Sequence, residues 1–252
     1  GASLTYVGSK VRLCKQVGFK STLVKLPEDI LEKDLLLKID ELNNNNEIDG
    51  YIVQLPLPKH IDEEKILLAV NPNKDVDGFH PTNVGKMALN MKTFIPATPF
   101  GIMELLKRYK IKTSGKNTVV IGRSNIVGRP ISILMNSKGN PGDSTVTVVH
   151  SRTINLESYT KNADIIISAL GIPGFVKKEM VKDGVVIIDV GITRVKDNNS
   201  PKGYVIRGDV DFDSVKEKAS YITPVPGGVG PMTIAMLLKN TLLSKSLLKK
   251  NY

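Results

Sequence analysis

The chain has 252 residues, which is enough for one large domain or two modest ones. Its composition, 41% hydrophobic and 24% charged, is ordinary for a globular protein with a core. No apolar run approaches the roughly eighteen residues that a membrane span needs, and the first ten residues carry no secretory pattern. The single cysteine, Cys14, excludes an internal disulfide and fits a reducing compartment. We therefore expect a cytoplasmic protein, or an organellar one whose targeting segment was removed before residue 1.

The net charge of +10 has three possible explanations. A basic surface can bind nucleic acid, but the lysines are spread along the chain, and the sequence has no Trp and only 5% aromatic residues to stack on bases. An enzyme that attracts anionic ligands fits the same charge. A compositional bias without function fits it equally. We expect neither a nucleic-acid partner nor a membrane.

Short β-branched runs alternate with helical patterns from end to end, which is typical of α/β proteins whose parallel sheets are covered on both faces. The expected strands are residues 21–26, 51–55, 117–121, 145–149, 164–170 and 185–190. The expected helices include residues 30–42, 98–109 and a closing helix over about 232–248. A run of four asparagines, residues 43–46, predicts a surface loop between two of these elements.

A domain boundary is expected near Pro96 and Pro99. Only two expected strands precede it, which is few for an independent sheet, whereas four follow it. We therefore predict a catalytic domain over residues 1–96, incomplete at its N-terminal side and completed by the C-terminal helix 232–252. A nucleotide-binding domain is predicted over residues 97–231.

A glycine-bounded turn, Gly122 to Gly128, follows the strand 117–121 and precedes an apolar helix. Such a turn can bring backbone N–H groups to a pyrophosphate. Ser124 stands where the middle glycine of the dinucleotide fingerprint would be, so the match is imperfect. A purely structural strand-to-helix turn explains the same residues.

The strand 145–149 runs into the sequence His-Ser-Arg-Thr at 150–153, without the carboxylate that NAD enzymes place there for the ribose hydroxyls. Ser151 and Arg152 suit a 2′-phosphate instead, and Arg123 is placed to reach the same group. This pattern favours NADP over NAD. Arg152 is also explained as a solvated surface charge.

Tyr6 and Lys10 are spaced i, i+4 on an expected helix and lie beside a stripe formed by Val7, Val11 and Cys14. A lysine at the edge of a core is partly desolvated, which lowers its pKa toward the range of proton transfer. An ordinary surface lysine fits the spacing as well.

Gln54 is expected at the carboxyl end of the strand 51–55, where open α/β sheets bind ligands, and the prolines of 56–58 end that strand. A neutral amide there can orient a lysine.

The segment 75–78, Asp-Val-Asp-Gly, resembles a calcium loop, but Lys86 stands where the glutamate ligand should be, so we expect no metal. Either a turn or a carboxylate that pairs with a donor-rich heterocycle explains Asp77.

Near the chain end, the Pro- and Gly-rich segment 223–233 predicts a rigid loop whose backbone can approach a ligand.

Together these segments resemble the bifunctional methylenetetrahydrofolate dehydrogenase/cyclohydrolase family. The similar segments are YVGSK (6–10), GYIVQLPLP (50–58), NKDVDGFHPTNVG (73–85), PATPFG (96–101), IGRSNIVGRP (121–130), DVGI (189–192), GDVDF (208–212) and ITPVPGGVGPMT (222–233). The resemblance implies two α/β domains flanking a cleft, the second a Rossmann-like parallel sheet binding NADP. It also implies a homodimer that oxidises 5,10-methylenetetrahydrofolate, carried as a polyglutamylated folate, and hydrolyses the methenyl product to 10-formyltetrahydrofolate.

The resemblance also assigns residues to roles. The catalytic set it implies is Tyr6, Lys10, Gln54 and Asp77, with Tyr6 stacked on the aminobenzoyl ring, Lys10 held by Gln54 and Asp77 on the pterin. The folate site it implies is formed by Tyr6, Lys10, Val53, Gln54, Leu55, Asp77, Pro226, Gly227, Gly228, Val229, Gly230, Pro231, Met232 and Thr233. The NADP site it implies is formed by Thr98, Gly122, Arg123, Ser124, Ile126, Ser151, Ile192 and Thr233.

Two departures from the family pattern are visible. The family has a further helix and strand before the YVGSK segment, and the stretch 136–144 is longer here than usual. Two alternative functions also remain, a monofunctional dehydrogenase without cyclohydrolase activity and a non-catalytic basic binding protein on the same fold. The lysine–glutamine pair distinguishes the first alternative, and the combined Lys10, Gln54 and Asp77 set distinguishes the second.

Overall fold

A computed structural model describes the backbone of residues 2–248 and the side chains of residues 7–246. The chain forms two compact units. Unit 1 consists of Gly1–Ala97 together with Ile234–Tyr252, and unit 2 is the continuous stretch Thr98–Thr233. Within the described part of the chain, every helix is too short or too polar to cross a membrane.

Helices dominate unit 1, whereas unit 2 contains the sheets. The α-helices are α1 (Ala2–Gln16), α2 (Glu32–Asn44), α3 (Glu63–Ala69), α4 (Pro81–Ala88), α5 (Ala97–Arg108), α6 (Gly128–Asn136), α7 (Leu156–Thr160), α8 (Phe212–Val215) and α9 (Val229–Leu248). A 3₁₀ turn spans Lys178–Met180. The strands are β1 (Asn117–Ile121), β2 (Thr145–Val149), β3 (Ile165–Ser168), β4 (Val186–Asp189), β5 (Thr193–Lys196), β6 (Tyr204–Arg207) and β7 (Tyr221–Ile222).

The main sheet of unit 2 has five parallel strands in the order β2-β1-β3-β4-β7. Every residue of β3 and β4 is buried, as expected for strands covered on both faces. Because successive side chains of a strand point to opposite faces, Ile166 and Ile187 join one apolar cluster while Ile165 and Ile188 join the other. The α/β class and the Rossmann-like parallel sheet are therefore confirmed.

The four strands predicted for this half of the chain are present as β1 to β4. Three further strands were not predicted. The residues of the antiparallel pair β5 and β6 are at most half-buried, and β7 has only two residues. Short or half-solvated strands therefore escape a search for buried β-branched runs.

The two strands predicted for unit 1 are wrong. Residues 21–26 have no regular structure and are exposed, and from the segment 51–55 only Tyr51 pairs, in an isolated parallel bridge with Asp75. A β-branched run favours an extended backbone, but a strand also needs a partner with a matching ladder. The core of unit 1 is instead built mainly by helices, with Leu35 and Ile39 of α2 packed near Ile66 of α3.

The prediction that the asparagine run 43–46 is a surface loop is wrong for Asn43, which lies in the last turn of α2. Its Oδ1 atom accepts hydrogen bonds from the Tyr51 hydroxyl at 2.7 Å and from the Asn71 N–H at 2.8 Å. Its Nδ2 atom donates to the Ala69 carbonyl at 2.8 Å. A side chain that satisfies three partners is fixed in place, and only the later asparagines are exposed.

The last helix, α9, begins at Val229, three residues before the predicted start, and carries two buried polar side chains. Asn240 donates from Nδ2 to the carbonyls of Val76 at 2.9 Å and Ile95 at 2.8 Å. Ser244 donates from its hydroxyl to the carbonyls of Asp49 and Asn73. These bonds tie the C-terminal part of α9 to three separate segments of unit 1.

Replacing Asn240 with alanine should destabilise the protein by about 2 kcal/mol, because two buried carbonyl groups lose their donor. Urea unfolding measures this change. The control is Ser246→Ala on the same helix, because Ser246 is exposed and bonds only the Leu243 carbonyl of α9. Equal stability of the two variants would contradict the bridging role of Asn240.

Candidate active site

Lys10 and Gln54 form a direct hydrogen bond within unit 1. Lys10 projects from α1, the helix on which the sequence placed it, and its Nζ atom donates to Gln54 Oε1 at 3.2 Å. The amide nitrogen of Gln54 donates to the Leu55 carbonyl at 2.9 Å. This second bond fixes the orientation of the amide, so that its oxygen faces the lysine.

The charges of Lys10 and Asp77 act on each other in a desolvated environment. Burial lowers the pKa of Lys10, and the negative charge of Asp77 opposes that shift. Burial raises the pKa of Asp77 to about 6, with Lys10 opposing the shift and Asp75 adding to it. The proton affinities of the two groups are thereby brought closer together, as proton transfer near neutral pH requires.

Asp75 performs the turn role that the sequence left open for the 75–78 segment. It is buried, and its Oδ1 atom accepts from the Gly78 N–H at 3.1 Å. Its Oδ2 atom accepts from the His80 N–H and from Asn83 Nδ2, both at 2.8 Å. Asp77 takes no part in these bonds, so the carboxylate beside Lys10 is not needed to close the turn. In residues 7–246 no group of three His, Cys, Asp or Glu side chains is placed to hold a metal ion.

The surroundings of this pair differ from the prediction in one respect. Gln54 was expected in a strand, but it lies outside any strand and is exposed. The Tyr51 N–H donates to the Lys74 carbonyl at 3.0 Å, which brings this segment beside the segment that carries Asp77. Val53 and Leu55 are half-buried, and Val53 packs on the core of unit 1.

The side chain of Tyr6 lies outside the described residues, although its backbone is part of α1. The predicted stripe beside it, Val7, Val11 and Cys14, is half-buried rather than fully buried.

The turn after β1 in unit 2 requires its two outer glycines. Gly122 has a φ of +116°, its N–H donates to the Val149 carbonyl at 2.8 Å, and a Cβ on it would lie 3.1 Å from the carbonyl carbon of Ala169. A Cβ on Gly128 would lie 2.7 Å from the carbonyl carbon of Gly122. The backbone is therefore packed closely at both ends of the turn, as in a dinucleotide-binding fingerprint.

Ser124 replaces the middle glycine and caps the helix that follows. Its Oγ atom accepts from the N–H groups of Val127 at 3.2 Å and Gly128 at 3.3 Å. These are two of the N–H groups that the sequence suggested for a pyrophosphate, so a phosphate at that position would compete with the serine hydroxyl. The hydroxyl thus explains structurally why a serine is tolerated at this position of the fingerprint.

The loop after β2 contains no acidic residue. The N–H of His150 donates to Thr153 Oγ1 at 2.9 Å, and the N–H of Arg152 donates to His150 Nδ1 at 3.2 Å. The predicted cofactor residues that are exposed in unit 2 are Arg123, Ser124, Ile126, Ser151 and Ile192.

The segment 223–233 combines a loop with the first turn of α9. The Val225–Pro226 bond is cis, and Gly227 has a φ of +107°. Thr98 Oγ1 and Thr233 Oγ1 are 3.0 Å apart. Within the predicted folate site, Pro226, Gly227 and Pro231 are exposed and Gly228, Gly230, Met232 and Thr233 are half-buried.

Val229 is different, because its side chain is buried in an apolar cluster of unit 2 with Ile102 and Ile131. Any contact that this residue makes with a ligand must therefore come from its backbone.

Two buried acids at the carboxyl ends of the strands, Asp189 and Asp209, were missed as separate site candidates. Burial raises the pKa of Asp189 to about 6, against hydrogen bonds from three backbone N–H groups. The available signal was a carboxylate at the end of the apolar strand β4.

A parallel sheet with a glycine turn after its first strand in one unit, and a lysine–amide–carboxylate set in the other, define an α/β enzyme with a nucleotide-binding domain. Residues 96–249 match the NAD(P)-binding domain of the tetrahydrofolate dehydrogenase/cyclohydrolase family, and residues 1–77 match the catalytic domain. The chain belongs to the tetrahydrofolate dehydrogenase/cyclohydrolase family.

Individual relatives agree with this assignment. The chain is 73% identical to the bifunctional protein FolD of Flavobacterium johnsoniae over 98% of its own length and 84% of the relative. It is similar to the crystal structure of the bifunctional methylenetetrahydrofolate dehydrogenase/cyclohydrolase FolD from Campylobacter jejuni, with a TM-score of 0.90, 50% identity, and coverage of 96% and 83% of the two chains. The Trypanosoma brucei FolD complexed with NADP cofactor and inhibitor has a TM-score of 0.90, 41% identity, and coverage of 96% and 82%.

The predicted class of enzyme, a folate dehydrogenase and cyclohydrolase with a nicotinamide cofactor, is therefore confirmed.

The boundaries of the family match and of the structural units differ at the C-terminus. The NAD(P)-binding match extends to residue 249, whereas the stretch Ile234–Tyr252 belongs to unit 1.

The raised pKa of Asp77 predicts a pH-dependent stability. The pKa of the Asp77 carboxyl group is about 6 in the folded protein and about 3.9 in the unfolded chain. Between these two pH values the folded state binds the proton more tightly than the unfolded state does. Its contribution to stability is present below pH 4 and is lost as the pH rises through 6. Asp77→Asn should therefore exceed wild type in unfolding free energy by up to about 3 kcal/mol at pH 7, with the difference vanishing near pH 4.

Denaturant unfolding at several pH values measures this difference, with Asp40→Asn on the exposed face of α2 as the control. A difference that stays constant from pH 4 to pH 7 would show that Asp77 has an ordinary pKa.

Proposed function

We propose that the chain oxidises 5,10-methylenetetrahydrofolate with NADP and hydrolyses the methenyl product to 10-formyltetrahydrofolate, with Lys10 as the residue that handles protons in the hydrolysis. The observation that carries this proposal is the set formed by Lys10, Gln54 and Asp77. In a member of this family, a lysine of lowered pKa that donates to a neutral amide and lies beside a carboxyl group is suited to proton transfer.

The hydrolysis needs a group that takes a proton and gives it back. Water attacks the methenyl carbon, and one of its protons must leave as the new C–O bond forms. The neutral amine of Lys10 accepts that proton, and the resulting ammonium returns it to N5 as the C–N5 bond breaks. The remaining hydroxyl proton of the adduct passes to solvent as the C=O bond forms, which leaves the formyl group on N10 and releases one proton overall. Burial increases the fraction of Lys10 that is neutral.

Gln54 suits this cycle because its amide is neutral. A carboxylate in its place would raise the pKa of Lys10 and hold the proton on it, whereas the amide oxygen accepts from both the amine and the ammonium. Asp77 supplies an acceptor for the N–H groups of the pterin, and above pH 6 that acceptor is charged. We assign Tyr6, Val53, Leu55 and the 226–233 segment to the same folate site.

The turn after β1 fits a dinucleotide, because glycines at 122 and 128 allow the backbone to pack closely against Ala169 and Gly122, as in a dinucleotide-binding turn. Thr98, Ser124, Ile126, Ile192 and Thr233 are proposed to line the remainder of the cofactor site. When bound, NADP supplies the acceptor for the hydride of the methylene carbon. The chain's own contribution is alignment of the reacting groups and electrostatic recognition of the phosphates.

The preference for NADP over NAD is assigned to Arg123 and Ser151. Both residues are exposed, and the loop 150–153 offers no carboxylate that would repel a 2′-phosphate. Arg152 is a second basic candidate in the same loop. This part of the proposal is independent of the lysine site, because it concerns only the cofactor.

The domain roles follow from these assignments. We propose that residues 1–96, together with residues 232–252, bind the folate, and that residues 97–231 bind NADP. The net charge of +10 supports an anionic polyglutamate tail on the folate. A homodimer and a cytoplasmic location are further parts of the proposal, supported by the resemblance to bacterial FolD proteins.

The two alternatives predict different assays. A monofunctional dehydrogenase would reduce NADP without hydrolysing methenyltetrahydrofolate, and a binding protein would do neither. The intact Lys10–Gln54 hydrogen bond disfavours both. NADPH formation with methylenetetrahydrofolate, followed by absorbance, is the first experiment.

Lys10→Met should reduce hydrolysis of methenyltetrahydrofolate by at least about 100-fold, because methionine keeps the length of the side chain but carries no proton. Lys15→Met is the matched control, since Lys15 lies on the exposed side of the same helix. Stopped-flow absorbance of the methenyl substrate measures both variants. Hydrolysis at the wild-type rate by a folded Lys10→Met protein would exclude Lys10 from the reaction.

Arg123→Ala should remove most of the preference for NADP, about 2 kcal/mol or roughly thirtyfold in kcat/KM, because a charged partner of the 2′-phosphate is lost. NAD lacks that phosphate, so its kcat/KM should change little. Arg129→Ala, at another exposed arginine nearby, is the control, and Arg152→Ala tests the second candidate. Equal losses with both cofactors, or a wild type that prefers NAD, would refute the assignment.

A further inference from the structure

We propose that the buried carboxylate of Asp209 is a positioning residue for the cofactor site, holding the loop after β3 against the glycine turn after β1. The proposal rests on the proposed function in one respect, namely that this turn binds NADP. It concerns residues of unit 2 alone.

Asp209 is fully buried and binds the loop that follows β3. Its Oδ2 atom accepts from the Leu170 N–H at 2.6 Å and from the Ser168 hydroxyl at 3.3 Å. Its Oδ1 atom accepts from the Ile172 N–H at 2.9 Å. Three donors from five consecutive residues thus converge on one carboxylate, which fixes the path of that loop.

The fixed loop packs against the glycine turn after β1. The Ala169 N–H continues the ladder of β3 by donating to the Ile121 carbonyl at 2.9 Å, and Ala169 is followed at once by Leu170. The carbonyl group of Ala169 is the group that a Cβ on Gly122 would meet. The N–H of Gly122 is meanwhile held by the Val149 carbonyl at 2.8 Å. A displacement of the Leu170 backbone would therefore alter the space in which the turn lies.

The second buried acid holds Asp209 itself in place. Asp189 Oδ1 accepts from the N–H groups of Asp209 and Gly191, each at 2.9 Å, and its Oδ2 atom accepts from the Val210 N–H at 3.0 Å. A Cβ on Gly191 would lie 2.5 Å from the carboxyl carbon of Asp209, so the loop after β4 packs directly on this carboxylate. Ile192, which we assign to the cofactor site, is the next residue.

A carboxylate is required here because all its partners are donors. An asparagine has one acceptor oxygen, and its NH₂ group would face the N–H of Leu170 or Ile172. Burying two adjacent acids in a fold is costly, which is evident in the raised pKa of Asp189. The arrangement therefore serves the loops that it connects rather than the apolar core around it.

The test is Asp209→Asn in the full chain, read out by calorimetric titration with NADP⁺ in the absence of folate. We expect the Kd for NADP⁺ to rise at least tenfold, and the KM for NADP⁺ to rise more than kcat falls. Hydrolysis of methenyltetrahydrofolate, which consumes no NADP, should stay within about twofold of wild type. Asp211→Asn is the matched control, because Asp211 is exposed two residues away and its side chain caps no helix.

Gly191→Ala is the second test variant if Asp209→Asn does not fold. Its added methyl group displaces the side chain of Asp209 but leaves the carboxyl group in the protein. The same separation of NADP⁺ affinity from hydrolysis supports the proposal. An unchanged Kd for NADP⁺ in a folded variant overturns the proposal. The proposal is also overturned if NADP⁺ binding and hydrolysis fall together, in proportion to the unfolded fraction. A wild type that does not bind NADP⁺ would instead refute the proposed cofactor, so the two failures are distinguishable.

Discussion

Desolvation of charged side chains is the constraint on which the functional parts of both units depend. Removing a carboxylate or an ammonium from water is unfavourable unless the protein supplies partners for it, and the cost appears as a shifted pKa. Asp77 in unit 1 and Asp189 in unit 2 both show this effect, with pKa values raised to about 6. The chain tolerates these groups at places where the backbone comes together, and not within the apolar clusters.

The two units use desolvation for opposite purposes. In unit 1 burial lowers the pKa of Lys10 and raises that of Asp77, which brings the proton affinities of the two groups closer together. In unit 2 the carboxyl groups of Asp189 and Asp209 accept hydrogen bonds from backbone N–H groups, as Asp209 does from Leu170 and Ile172, and these bonds fix the loops that donate them. A group held by several fixed donors is suited to define geometry, whereas one beside a single amide is suited to react.

The sequence predicted the parts of the fold that depend on periodicity. The strands β1, β3 and β4 were found because buried parallel strands are continuous apolar runs, whereas β2 is only partly buried and was found by its β-branched residues. The glycine turn was found because its outer positions tolerate no side chain. The strand predicted at residues 21–26 is absent, because pairing depends on a partner that local sequence does not specify.

Similar reasoning applies to the site. The Lys10–Gln54 contact joins residues 44 positions apart, and only the resemblance to a family indicated it before the structure placed the two side chains together. The capping role of Ser124 was not predicted, because a hydroxyl in a fingerprint position is indistinguishable by sequence from one that faces a ligand. Asp209 was missed for a related reason, since its partners are backbone groups that leave no pattern of side chains.

The path of α9 has a consequence for biosynthesis. Unit 2 is one continuous stretch, Thr98–Thr233, so all of its residues are translated before Asn240 and Ser244. Unit 1 needs Asn240 and Ser244, which bind backbone carbonyls at residues 49, 73, 76 and 95. The N-terminal segments of unit 1 are made first, but they obtain these two partners only after unit 2 has been translated, so the full set of hydrogen bonds in unit 1 cannot form before unit 2 has been synthesised. During translation the unit that carries Lys10 therefore lacks these two partners until residues 240 and 244 emerge from the ribosome.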